Sequence, residues 1–276
     1  EQQPMDAPFV EALRRAYERG SDQTTRWFAV MALGRIGGAD NRAWLWSAYQ
    51  RGNRGVERPW LALALGVLCH AEAQTGGADP ALAAALRADL LDAGSDDLRS
   101  ALAVAVGLTR DPAAAPVLEQ LLRQYEGDER VAGYLCIGLG LTGDRTARET
   151  LTELLQRSER RPFLLQQCAV ALGCLGEREA TTVLTDMIRR ADSVAVLAAL
   201  ATAIGRIGDR RAIDTLLELA DDRELTKLGL AFVAAALGGV GDADEVPWNT
   251  PFSVDSNYTT GIDTLTNGAT GVLDIL

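Results

Sequence analysis

The sequence predicts an all-α protein: a right-handed α-solenoid of about six to seven helix pairs built from one repeated unit. Three observations carry this. A phrase recurs about every 33 residues, as "GLGLTGDRTARETLTELL" at 138–155, "ALGCLGEREATTVLTDMI" at 171–188 and "AIGRIGDRRAIDTLLELA" at 203–220. Apolar residues make up 47% and aromatics only 5%, with Ala and Leu dominant, so helix formers abound and strand formers are scarce. Each phrase also holds a glycine stop followed by an acidic start, the punctuation of one helix ending and the next beginning. A chain of 276 residues with such a period is read as a stack before it is cut into domains.

The glycine of the Leu-Gly pair serves as an anchor at Gly34, Gly66, Gly107, Gly140, Gly173, Gly205 and Gly238, with steps of 32, 41, 33, 33, 32 and 33. One residue earlier stands a large aliphatic (Leu33, Leu65, Val106, Leu139, Leu172, Ile204, Leu237) and two earlier a small residue (Ala32, Ala64, Ala105, Gly138, Ala171, Ala203, Ala236). Large and small side chains alternating at fixed places are what close helix-on-helix packing requires. Three residues after the anchor a glycine returns at Gly37, Gly143, Gly176, Gly208 and Gly241, where a left-handed residue ends the helix. An acid follows at Asp111, Asp144, Glu177, Asp209 or Asp242, placed to accept from the free amides of the next helix.

First helices are therefore expected near 22–35, 56–69, 95–108, 128–141, 160–174, 192–206 and 223–239. Second helices are expected near 40–51, 80–93, 112–125, 144–157, 177–190 and 209–220, with residues 7–19 as the second helix of a preceding unit, about 13 helices in all. In the second helices the period assigns buried slots to Ala212, Ile213, Leu216 and Leu217. Such a pair cannot bury its apolar faces alone, so it stacks on its copies.

The phrase LGxIGDxRAxxxLxxLL resembles the HEAT-like repeat of phycobilisome lyases, found in many bacterial scaffolding proteins, and the resemblance spans roughly residues 7–245. It implies a solenoid over 1–246 that binds a protein partner along an inner surface formed by the second helices. The repeat implies no chemistry of its own. It also leaves open a bilin lyase or chromophore-chaperone activity, for which Cys69 or Cys136 is available.

Departures from the period mark where function is expected. The long step of 41 places about eight extra residues between Cys69 and Pro80, as a surface loop or a lengthened helix end, with the lone His70 inside. Arg26, Arg58 and Arg99 each lie eight residues before an anchor, a ladder that either bridges neighbouring units or grips an acidic partner. Aligning Ala43 with Ala212 matches Trp44 with Ile213, and Leu45 and Tyr49 with Asp214 and Glu218. On that alignment Leu45 and Tyr49 form an exposed apolar pair, unless residues 1–8 or the insertion cover it. The candidate partner-binding set is Arg42, Leu45, Trp46, Tyr49, Arg87 and Arg123, joined by Leu273, Ile275 and Leu276 of the tail.

Residues 247–276 leave the period. Tyr258, Ile262 and Leu265 share one face of a short predicted helix that Asn267-Gly268 ends, and the last residues are apolar. Such a tail is expected to cap the open end of the stack, or to insert into another chain. Its Asn257-Tyr258, Thr264-Leu265 and terminal "LDIL" resemble the ends of exported bacterial HEAT-repeat proteins, which implies export in preference to the cytoplasm. The start at Glu1 without methionine fits either a processed chain or one trimmed from a longer sequence.

The net charge of −11 and pI of about 4.7 argue against nucleic-acid binding, which needs a basic stripe. No apolar run reaches the roughly 20 residues of a membrane span. Cys69, Cys136, Cys168 and Cys174 lack metal-ligand spacing and read as buried hydrophobes. A di-iron hydroxylase of this fold needs several histidines, and a Ser/His/Asp arrangement, a P-loop and GxGxxG are all absent. The expected function is a noncatalytic protein-interaction scaffold, a stable subunit of a larger assembly, without cofactor.

Overall fold

The computed structural model describes residues 7–51, 56–175 and 180–241, all helix, turn or coil without a strand. Fourteen α-helices follow in order: α1 (Ala7–Arg19), α2 (Gln23–Ile36), α3 (Ala39–Arg51), α4 (Arg58–Gln74), α5 (Pro80–Leu91), α6 (Asp96–Leu108), α7 (Ala114–Tyr125), α8 (Glu129–Thr142), α9 (Arg148–Arg157), α10 (Pro162–Cys174), α11 (Ala180–Ile188), α12 (Val194–Ile207), α13 (Ile213–Ala220) and α14 (Lys227–Gly241). Short 3-10 turns at Arg145–Ala147 and Arg210–Ala212 lead into α9 and α13. The expected tail, with Leu273, Ile275 and Leu276, and the acids Glu177 and Asp242 lie outside the described residues.

The first helices α2, α4, α6, α8, α10, α12 and α14 pack on one another in sequence order. Their contact is made at the anchor glycines. A Cβ on Gly34 would lie 2.5 Å from the Ala64 carbonyl oxygen, one on Gly66 2.6 Å from Ala105 Cα, one on Gly107 2.2 Å from the Gly138 oxygen, and one on Gly140 2.6 Å from Ala171 Cα. Each of these four anchors thus meets the backbone of the small residue two before the next anchor, and Gly205 does so more loosely at Ala236, while Gly173 faces the Ile207 side chain; the small-residue pattern has its physical cause here.

Second helices are spaced more widely; among the described residues their contacts are few, chiefly α5 with α7 and α11 with the 3-10 turn that leads into α13. A two-layer array bends toward its more closely spaced layer. The first helices therefore line the inner face, and the expectation that second helices form it is corrected.

The second helices keep one register counted from the anchor. Residues 7, 11, 14 and 15 after it are Ala147, Leu151, Leu154 and Leu155 in α9, and Ala114, Leu118, Leu121 and Leu122 in α7, all buried. In α3 the same places hold Asn41, Leu45, Ala48 and Tyr49, also buried. This overturns the exposed pair: Leu45 is 0% and Tyr49 1% exposed, because matching Ala43 to Ala212 slides α3 by two residues against the anchor count. Trp44, expected in the core, is half-buried, edge-on to Tyr17 with the ring centroids 5.4 Å apart. In α13 Ala212 and Leu216 are buried, Ile213 is half-buried and Leu217 is 50% exposed, so Leu217 is not a core slot. Asn41 replaces the usual alanine, and both ends of its amide are bonded: Nδ2 donates to the Gly37 carbonyl at 2.9 Å, and Oδ1 accepts from Arg14 at 2.7 Å.

The insertion lengthens α4, which runs 17 residues to Gln74 before a short turn to Asp79. His70 consequently sits on the helix, its Nε2 2.8 Å from Gln74. Asp79 then caps α5 by accepting from the amides of Ala81 and Leu82.

Polar contacts stitch neighbouring units. The Glu129 carboxylate accepts from the amides of Phe163 and Leu164 at 3.1 and 3.2 Å, so α8 caps the following first helix α10. The arginine ladder is engaged within the fold, but its ion pairs bridge units only at Arg26; Arg58 pairs inside its own unit and Arg99 inside its own helix. Arg26 pairs with Glu57 at 2.5 Å, Arg58 with Asp89 at 3.4 Å, and Arg99 with Asp96 at 2.8 Å, while their guanidiniums lie over Tyr17, Tyr49 and Tyr125.

Two turn positions yield predictions. Gly143 and Gly208 end their helices with φ of 74° and 65°, and in the third unit Arg110 takes the same role at φ 53°. An L side chain in the left-handed region is strained, so Arg110→Gly is expected to stabilise the protein by about 1 kcal/mol, read as a rise in the denaturation midpoint. The second is Asp209, which accepts from the Arg211 amide and guanidinium and, at 3.1 Å, from Thr181 of the preceding unit. Chiefly the Arg211 side chain holds its carboxyl below the ordinary 3.8. Its contribution is complete above that value and is lost as pH falls through the lower folded value. Asp209→Asn is expected to cost about 1 kcal/mol at neutral pH, with the gap to the parent protein closing in acid.

Candidate functional site

The residues singled out from the sequence lie on the outer, second-helix face, and most are engaged within the fold. Arg42 pairs with Glu72 at 2.9 Å and with Asp79 at 3.6 Å. Arg87 pairs with Asp111, the acid that opens the α7 segment. Tyr49 donates to Asp89 at 2.8 Å and is covered by Arg58, and burial pushes its hydroxyl well above the ordinary range. Leu45 is core. Arg123 stays 66% exposed, 3.7 Å from Glu119 on its own helix. Of this set, the structure brings only Arg42 and Trp46 into one cavity. It is a cleft of about 330 Å³ between α3 and α5, lined also by Ala39, Ala43, Asp79, Ala81, Leu82 and Ala85. Its one cation is already matched by Glu72 and Asp79, so the cleft offers a small apolar dent with no free positive charge.

The larger feature is on the inner face. Counting from each anchor, residues six before, three before and one after fall within about 60° of helical arc, pointing away from the second helices. In α4 these are Trp60, Leu63 and Val67; in α8, Tyr134, Ile137 and Leu141; all six are half-buried. Between them α6 contributes Val104 and Leu108, and beyond them α10 contributes Val170, again half-buried. On α2 the stripe begins with Phe28, 45% exposed, and the half-buried Met31. Successive anchors are in register, so these side chains form a ribbon crossing five helices. Aromatic contacts brace it: Trp27 stacks on Trp60 with centroids 5.0 Å apart, and Tyr134 meets Phe163 at 6.0 Å.

A continuous stripe of half-buried aliphatic and aromatic residues on the side away from the second helices is unusual, because partly water-facing helix positions are ordinarily polar. Polar side chains take some of the same places toward either end: Arg35 in α2, Gln167 in α10, and Thr202 and Arg206 in α12. Sequence reasoning missed this surface because the repeat pattern was read only at the anchor and the two residues before it, not around the rest of the first helices. The signal was present: α4, α6 and α8 are apolar on every side, too many faces for packing against two neighbours and one second-helix layer.

Titratable groups give no competing centre. Among the described residues no three or more His, Cys, Asp or Glu side chains are arranged to hold a metal ion. Cys136 and Cys168 meet across α8 and α10 with their sulfurs 3.5 Å apart, and both are fully buried. Burial raises the Cys136 thiol well above its ordinary pKa, the opposite of what activates a nucleophile. No described helix is long and apolar enough to cross a membrane.

Comparison with known proteins agrees with this architecture. The HEAT repeat family model matches residues 124–201, and that of the PBS lyase HEAT-like repeat matches residues 196–222. No curated protein matches the chain. Among solved structures, human deoxyhypusine hydroxylase in complex with glycerol is similar at 18% identity, over 86% of this chain and 97% of that one, with a TM-score of 0.37. A superposition of that quality carries no argument about the site. Residues 124–222 thus match HEAT-type repeat models, and the described helices before them continue the same paired array.

Proposed function

We propose that this protein is a noncatalytic interaction scaffold, a stable subunit of a larger assembly, which holds an apolar segment of a partner protein along the first-helix ribbon. HEAT repeats commonly mediate protein interactions, and the observation that carries the reading is the half-buried apolar stripe from Phe28 to Val170 on successive helices. Burying apolar surface contributes about 25 cal/mol per Å², so a partner segment laid along five helices gains enough to hold without any catalytic group. The outer cleft at Arg42 and Trp46 is the lesser surface, its charge already matched.

The test is quantitative affinity purification from the native source, using the unmodified chain and a Val104→Glu, Ile137→Glu double variant. A stoichiometric companion is expected with the former, and at least about a tenfold loss with the latter while its helical content stays the same. Absence of any stoichiometric companion overturns the scaffold reading. The PBS lyase-type repeat at 196–222 favours a second reading, a bilin lyase or chromophore chaperone. Incubation with a bilin decides it: a stable visible absorbance band supports the chromophore-handling reading against the first.

A further inference from the structure

We infer that the exposed face of α14 is a docking surface for the chain's own C-terminal segment, residues 242–276, which takes the place of the next first helix. The argument starts from the anchors. In α8 the stripe formed by Gly133, Cys136 and Gly140 is buried under α10, and a Cβ on Gly140 would strike Ala171. The equivalent stripe of α14 is Ala231, Ala234 and Gly238, and all three are exposed. Gly238 has nothing within 4 Å of where its Cβ would stand, unlike every earlier anchor. The repeated interface is therefore prepared on α14 and left unpartnered by the described residues. The apolar surface also extends to the helix start, where Leu228 is 58% and Leu230 42% exposed.

The occupant follows from the chain itself. Thirty-five residues continue directly from the end of α14. About 15 residues of helix suffice to lie back along its length of roughly 22 Å, leaving ample chain for the connection. Tyr258, Ile262 and Leu265 recur at spacings of four and three, the spacing of one helical face. They offer large side chains of the kind this stripe already meets in two earlier units, where Gly133 lies against the Phe163 ring and Gly173 against Ile207. No Lys, Arg or His occurs after Lys227, so nothing cationic has to be desolvated as this segment docks. A solenoid end left open exposes an interface that a second copy fits, and covering it in cis prevents head-to-tail growth.

Hydrogen exchange measured by mass spectrometry on the full chain tests this, with the particle mass followed by light scattering over a range of concentrations. Ala234→Arg places a long cation on the stripe at a position the described fold leaves exposed. Expected are amides within 257–268 that exchange at least about tenfold more slowly than a free chain in the unmodified monomer. Ala234→Arg should return them to free-chain rates while α8 and α10 keep their protection. Free-chain exchange in the unmodified protein overturns the inference, as does protection that survives Ala234→Arg. Protection that rises with concentration alongside a doubled mass overturns it too, in favour of a second copy as the occupant.

Discussion

Gly107→Ala is expected to lower the unfolding free energy by about 3 kcal/mol, the top of the usual range for overpacking a core. The added Cβ would sit 2.2 Å from the Gly138 carbonyl oxygen and 2.8 Å from its Cα, both backbone atoms of the neighbouring helix. Neither can swing aside as a side chain can. The α6–α8 contact must open, and with it one of the joints on which a nearest-neighbour stack depends. Gly205→Ala is the internal comparison, because its Cβ would lie 3.2 Å from Ala236 Cα, a gap that a small shift relieves. There the gain of about 1 kcal/mol in helix propensity on replacing glycine offsets the crowding, and the net change should be about 1 kcal/mol or less. Denaturation followed by far-ultraviolet circular dichroism ranks the two. Equal losses at both sites would mean that anchor glycines serve something other than close approach.

The second large effect is expected at Glu57. Its carboxylate is 9% exposed, pairs with Arg26 at 2.5 Å and accepts from the Tyr17 hydroxyl at 3.1 Å, tying α1, α2 and the start of α4 together. Removing one partner of a buried pair leaves the other charge uncompensated, so Glu57→Ala should cost about 3 kcal/mol. Glu57→Gln keeps the shape and a hydrogen-bond acceptor and should cost distinctly less. If the two variants lose equally little, the Arg26–Glu57 pair behaves as an exposed surface pair, and the first units are held by packing alone. The same contact predicts an alkaline limit. Burial first, and Glu57 second, raise the Tyr17 hydroxyl above 10.0, so its contribution is complete below that pH and is lost as pH rises through the folded value.

Much of the fold was legible because its determinants are local and repeated. The capping acids, the glycine stops and the 3.6-residue period act within a few residues of themselves, and the expected helices agree with the observed ones to within about four residues at each end, except that α4 runs five residues further, to Gln74. The errors came where the period was interrupted or a match was chosen by letters. Ala43 resembles Ala212 in its neighbours, yet the anchor count assigns the place of Ala212 to Asn41. A buried asparagine paired to Gly37 and Arg14 hides that equivalence, because no propensity marks a polar residue as core. The exposed pair Leu45 and Tyr49 vanished with that alignment.

The candidate site was less legible, for a different reason. Whether Val104 or Ile137 is core or surface depends on which neighbours cover it, and an all-round apolar helix carries no sign of which face is left open. The inner face likewise depends on spacing between helices far apart in sequence: backbone contact at the anchors draws the first helices closer than the bulkier second helices can come.

By itself, then, the sequence determined the unit, its helix boundaries and the stacking of copies, since these follow from short-range capping, periodicity and residue size. Tertiary structure alone decided the direction of bending, the engagement of Arg42, Arg87 and Tyr49 within the fold, and the exposure of the first-helix ribbon. The reason is that burial and pairing are properties of neighbours about 32 residues away, which come together only once the anchor glycines let the helices touch.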